Sequence, residues 1–155
     1  MKYFVSSSIK RVFSGLLICG FAFAFVSCEK KTPAPAPVIP PATFKGEING
    51  SAQIVFTPSK TSSSGTTSLI GKSAYYTVTL NIPSTTGQGS FFFSSAGFSA
   101  SIYDGSNTYL SNSAYGSGGI YIDSIVGGRY YGNFNFIGQL PSNATESTIG
   151  TFTSL

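Results

Sequence analysis

From Thr43 onward, apolar and polar residues alternate with a period of two, in short runs divided by Ser, Thr, Gly and Asn. A period of two sends successive side chains to opposite faces, the mark of half-buried strands. Tyr76, Val78, Leu80 and Ile82 interleave with Tyr75, Thr77, Thr79 and Asn81 in the clearest such run, which Pro83 ends. Ala52, Ile54 and Phe56 form another, stopped by Pro58, and Phe98, Ala100 and Ile102 a third. That third run leads into Asp104-Gly105-Ser106-Asn107, residues that tolerate positive φ, so Phe98–Tyr103 and Thr108–Ala114 are expected to pair as a hairpin. Ile120–Ile125 and Tyr131–Ile137 read as the next pair, turning near Gly127-Gly128, and Thr148–Thr153 as a closing strand. No segment shows a helical period with a cap. The pattern predicts an all-β domain over 43–155, an antiparallel two-sheet β-sandwich of roughly eight strands, with a small β-barrel as the alternative.

Residues 1–42 follow different rules. Met1–Ser27 has a basic start and an apolar centre from Val12 to Val26, broken by Ser14, Gly15 and Gly20. That is an export signal helix, shorter than the roughly 20 apolar residues of a membrane span. Phe25-Val26-Ser27-Cys28 then turns abruptly polar at Glu29-Lys30-Lys31, and it resembles a bacterial lipobox with Phe25 in a place usually held by an aliphatic residue. The resemblance implies that the signal (1–27) is removed and that Cys28 carries a lipid; ordinary cleavage after Ala22-Phe23-Ala24 is the alternative. Thr32–Ala42 holds five of the eight prolines. With φ fixed and no N–H, it is an extended spacer of about 3.1 Å per residue, roughly 30 Å in all. The segment 28–42 is therefore a tether and 43–155 a single domain.

The formal charge of +4 and pI of 9.1 suggest a basic protein. Lys2, Lys10, Arg11, Lys30 and Lys31, however, all flank the signal. Within 43–155, Lys45, Lys60, Lys72 and Arg129 face Glu47, Asp104, Asp123 and Glu146, a formal balance of zero. No patch exists to displace phosphate counterions, so nucleic acid is excluded as an expected partner. Cys19 and Cys28 are the only cysteines, so the domain has no disulfide and must be held by packing.

The chain has no His and no Trp, which removes the serine and cysteine triads, the common zinc sites and the usual general base. Carboxylate pairs drawn from Glu47, Asp104, Asp123 and Glu146 would be the only glycosidase-like route, and nothing in their spacing brings two together. Asp104 and Asn107 offer oxygen ligands to calcium, but the same four residues compose a tight turn, and the turn is the expectation. A non-enzymatic protein without metal or cofactor is expected.

Tyrosine is the richest remaining signal. Tyr75, Tyr103, Tyr109, Tyr115, Tyr121, Tyr130 and Tyr131 include many that the alternation turns away from the Ile, Leu and Phe set. A tyrosine-bearing sheet face suits a glycan or a protein partner, although tyrosine also lines half-buried strands by β-propensity alone. Tyr75, Tyr103, Tyr109, Tyr121 and Tyr130 are the candidate binding face. Asp123-Ser124-Ile125 resembles a short bacterial O-glycosylation acceptor pattern at Ser124, and Asn143-Ala144-Thr145 fits the N-glycosylation sequon. Phe91-Phe92-Phe93 would promote aggregation if exposed, so it is expected in the core or at a sheet interface.

Ile48-Asn49-Gly50, Leu69-Ile70-Gly71, Val78–Ile82, Gly119–Ile122, Gly132-Asn133-Phe134-Asn135-Phe136 and Gly150-Thr151-Phe152-Thr153 occur in an order that resembles a group of small, functionally uncharacterised lipoproteins of Gram-negative bacteria. The resemblance covers nearly all of the chain after Cys28 and implies an all-β fold and no catalytic residues. The expected protein is lipid-anchored in the bacterial envelope, at the outer membrane, facing the periplasm or the cell surface. It would act there as a binding module for a glycan or a protein; the alternative is a structural or assembly subunit of an envelope complex or fibre.

Overall fold

A computed structural model describes residues 38–153 and Leu155. The expected signal, the lipobox-like segment with Cys28 and most of the expected spacer lie outside the described residues. Ten strands follow in order: β1 (Thr43–Ile48), β2 (Ile54–Ser63), β3 (Thr66–Lys72), β4 (Thr77–Pro83), β5 (Gly89–Phe92), β6 (Ser99–Tyr103), β7 (Thr108–Ser111), β8 (Ser117–Val126), β9 (Arg129–Gln139) and β10 (Thr145–Thr153). No helix occurs among the described residues.

All pairings are antiparallel, and the all-β class is as the alternation predicts. The arrangement is the barrel, not the sandwich. The order β10-β1-β2-β3-β4-β6-β7-β9 closes on itself because β9 pairs with β10 along its length, from Gln139 opposite Thr145 to Gly132 opposite Phe152. On its other edge β9 meets β7 at Leu110 and Gln139, and from Ile137 down it is joined by β8, to which β5 adds as a last strand. Eight strands thus form the ring, while β8 and β5 extend the wall beyond it.

An eight-stranded barrel encloses just enough space for side chains to fill. Here phenylalanines fill it: Phe44 lies against Phe56 edge-on at 5.5 Å and against Phe134 at 5.2 Å, and Phe136 against Phe93 at 5.4 Å. Glycine makes room for them. A Cβ on Gly71 would overlap the Phe44 ring, and one on Gly150 would stand 2.5 Å from the tip of Phe134. Val78, Leu80, Ile82, Ala100 and Ile102 join the core from the strands where alternation was clearest.

Several elements differ from the sequence reading. Pro58 does not stop β2, which continues to Ser63; β1 is registered only against Ile54–Phe56, so beyond it the outer edge of β2 has no strand partner among the described residues and a missing N–H costs no ladder bond. β3 was not apparent because its inward positions are Thr67, Leu69 and Gly71, with one large apolar residue among them. β7 ends at Ser111 rather than Ala114. The phenylalanine triplet divides: Phe93 is buried, Phe91 stacks on Phe98 at 4.9 Å, and Phe92 is 68% exposed. The two turns are as expected. Asp104 Oδ1 accepts the N–H groups of Ser106 (2.8 Å) and Asn107 (2.6 Å), with Gly105 at φ +94°, and Gly127 and Gly128, both at positive φ, join β8 to β9.

Candidate functional site

The wall formed by β1, β10, β9, β8 and β5 turns one side to the phenylalanine core and the other outward. Register places its outward residues in two rows across all five strands. In the first, Lys45, Thr151, Asn133, Tyr121 and Ser90 are successive partners. In the second the partners are Glu47, Ile149, Asn135, Gly119 and Phe92. Adjacent strands lie about 4.8 Å apart, so the face spans roughly 19 Å from β1 to β5.

Two clefts lie side by side on this face. One, of about 300 Å³, is lined by Ser90, Phe92, Gly119 and Tyr121, and the other, of about 600 Å³, by Lys45, Glu47, Ile149 and Thr151; Asn133 and Asn135 line both. The result is a shallow continuous trough with the two asparagines at its middle. Phe92, Tyr121 (43% exposed) and Ile149 (53% exposed) stand along it. At Gly119 the floor is bare backbone, and any side chain there would begin 2.5 Å from the Phe91 carbonyl.

Asparagine is depleted in strands because its amide competes for backbone bonds. Elsewhere in the domain four asparagines have side-chain hydrogen bonds. Asn81 accepts from Ser68 at 2.7 Å and donates to Ser99 at 3.1 Å, Asn49 accepts from the Ser147 N–H at 2.8 Å, Asn112 from those of Ala114 and Tyr115, and Asn143 from the Gln139 amide. Asn133 and Asn135, central in β9 and exposed, have no side-chain hydrogen bond among the described residues. Their amides face solvent unspent. Sequence reasoning missed them, because Gly132-Asn133-Phe134-Asn135-Phe136 was read from its buried phenylalanine side; the alternating Asn-x-Asn was the available signal.

Of the tyrosine set, only Tyr121 lies in the trough. Tyr130 is 7% exposed, inside the barrel wall with the Lys60 ammonium 5.6 Å from its ring centre, so it is no part of an exposed face. Tyr75, 78% exposed, and Tyr103 lie at the end of the barrel that carries the Asp104–Asn107 turn; the Tyr103 hydroxyl donates to the Gly105 carbonyl at 2.8 Å. Tyr109 is half-buried near Asp104, and burial first, then the Asp104 charge, raises its pKa. Tyr115 and Tyr131 are half-buried. Ser124 is half-buried just after a bulge that follows Ile122, with Asp123 exposed at the bulge.

The acids do not converge on the trough. Asp104 is held below the usual carboxylate range by the Asn107 and Ser106 N–H groups, which commits it to its turn. Glu146, 9% exposed, is pushed up by burial and then by the Asp104 charge, and its Oε2 has no hydrogen-bond partner among the described residues. Among the described residues no three His, Cys, Asp or Glu side chains gather as a metal site. No protein-family model matches this chain, and no curated protein or solved structure matches it significantly.

Proposed function

We propose that this chain is a lipid-anchored protein of the bacterial envelope, held through Cys28 and the proline-rich spacer, and that its β-barrel is a non-enzymatic binding module acting through the β1–β5 trough. The unspent amide pair Asn133 and Asn135, set between two clefts and flanked by exposed Phe92 and Tyr121, carries the reading. Ligand sites combine apolar surface with a few placed polar groups, and that is the composition here. The trough's ionisable groups are Lys45 and Glu47 at its β1 edge and Tyr121 on β8. The address rests on the lipobox-like segment.

Two measurements test this. Growth with an alkyne fatty acid should label the chain, and Cys28→Ser should remove both label and membrane association; an unlabelled wild-type chain contradicts the anchor. A photo-cross-linking residue at Tyr121 in cells should capture an envelope component that the same residue at Tyr75 does not. Equal capture, or none at either position, contradicts the trough.

One observation favours a second reading, as an assembly subunit. β5 ends the sheet, pairs through Gly89–Phe92 with β8, and among the described residues its other edge is open to strand addition. At four residues it offers few ladder bonds.

A further inference from the structure

Resting on the trough as the binding surface, we infer that its ligand is an uncharged glycan of several linked sugars lying across the strands. Charge comes first. Lys45 and Glu47 stand together on β1 with opposite signs, and from β10 to β5 both rows are uncharged: Thr151, Asn133, Tyr121 and Ser90 in one, Ile149, Asn135, Gly119 and Phe92 in the other. An acidic polysaccharide, a nucleic acid or a basic peptide finds no complementary field there.

The arrangement of apolar groups argues against a protein partner. Protein interfaces have a contiguous, desolvated apolar centre with aromatic anchors in pockets and a polar rim. This face is the inverse. Its centre is the amide pair, and its apolar groups are dispersed: Ile149 and Phe92 are separated by Asn135 and Gly119 within one row, and Ile137 lies beyond Asn135 on β9, between Ser147 and Ser117. A sugar ring has a C–H face that packs on an aromatic ring and an edge of hydroxyls that both donate and accept. An asparagine amide does both as well, so two of them serve a hydroxyl edge whatever the direction of each bond. Asn133 and Asn135 are two residues apart on one strand, about 6.7 Å, and the rings of Tyr121 and Phe92 stand beside them on β8 and β5. Gly119 contributes no side chain between Asn135 and Phe92, and the nearest atom to its outward side is the Phe91 carbonyl oxygen, an acceptor for a sugar hydroxyl. The roughly 19 Å width of the face favours an oligosaccharide over a single sugar.

The test is affinity electrophoresis of the full-length chain in detergent, with laminarin, soluble starch, xylan and galactomannan as neutral polymers and alginate as an acidic one. At least one neutral polymer should retard the chain and alginate should not. Asn133→Ala/Asn135→Ala should weaken retention at least tenfold, and the exposed Phe92→Ala several-fold. Tyr75→Ala should leave it unchanged. Retention by none of the four neutral polymers, retention by alginate alone, or retention indifferent to the trough variants would overturn the inference. Photo-cross-linking at position 135 separates the two levels of the account. A cross-linked protein without glycan retention sinks the glycan while leaving the binding module, and neither result sinks both.

Discussion

The trough on β9 and the turn end of the barrel are both polar, aromatic and exposed, yet their polar groups are used in opposite ways. At the turn, Asp104 holds two backbone N–H groups and the Tyr103 hydroxyl holds the Gly105 carbonyl. In the trough, the amides of Asn133 and Asn135 and the Tyr121 hydroxyl have no hydrogen-bond partner among the described residues. A polar side chain spent inside the molecule explains its own presence as structure. One left unspent on a strand that disfavours it points outward, to something the molecule meets.

That contrast can be broken by stability measurements, taken here from the largest expected effect to the smallest. Phe134→Ala, directly between the two asparagines on β9 but facing the core, should cost about 3–5 kcal/mol, read as a shifted denaturation midpoint. Glu146→Gln should gain on the order of 1 kcal/mol at neutral pH, because it removes the buried charge while keeping the side chain's shape. The sign follows from its raised pKa: the folded state holds its proton to higher pH than the unfolded chain, so wild-type stability falls as pH rises from the ordinary glutamate range through the folded value. Denaturation across that range should show the slope in wild type and a flatter one in Glu146→Gln. Asp104 acts in the opposite direction. Its lowered pKa means that its contribution is present above the ordinary aspartate range and is lost as pH falls through the folded value, so Asp104→Ala should lower the melting temperature at neutral pH and less so in acid. Asn133→Ala/Asn135→Ala should change stability by no more than about 0.5 kcal/mol. A large loss there would make the pair structural and erase the contrast.

The alternation made the strands legible wherever the buried face carried several large residues, as in Val78-Thr79-Leu80-Asn81-Ile82. It was silent for β1, whose buried Phe44 and Ile48 are parted by Gly46, for β3, whose inner face is mostly small, and for four-residue β5. Closure was not legible either. It depends on β9 offering one edge to β10 and the other to β7 and β8, with β7 and β9 joined at Leu110 and Gln139, and such a junction leaves no local mark. In the site, the outward placement of Tyr121 followed from its neighbours Ile120 and Ile122. The same logic, carried from Phe134 and Phe136 back along β9, puts Tyr130 inside, where the structure has it.

The most direct test sets the two regions against each other in one gel. The full-length wild-type chain, the trough variant Asn133→Ala/Asn135→Ala and the turn-end variant Tyr75→Ala/Tyr103→Ala are run through a neutral polysaccharide that retards the wild type. The expected result is at least a tenfold loss of affinity for the trough variant and wild-type retention for the turn-end one. Loss confined to the turn-end variant would place binding at the other end of the barrel and contradict the account.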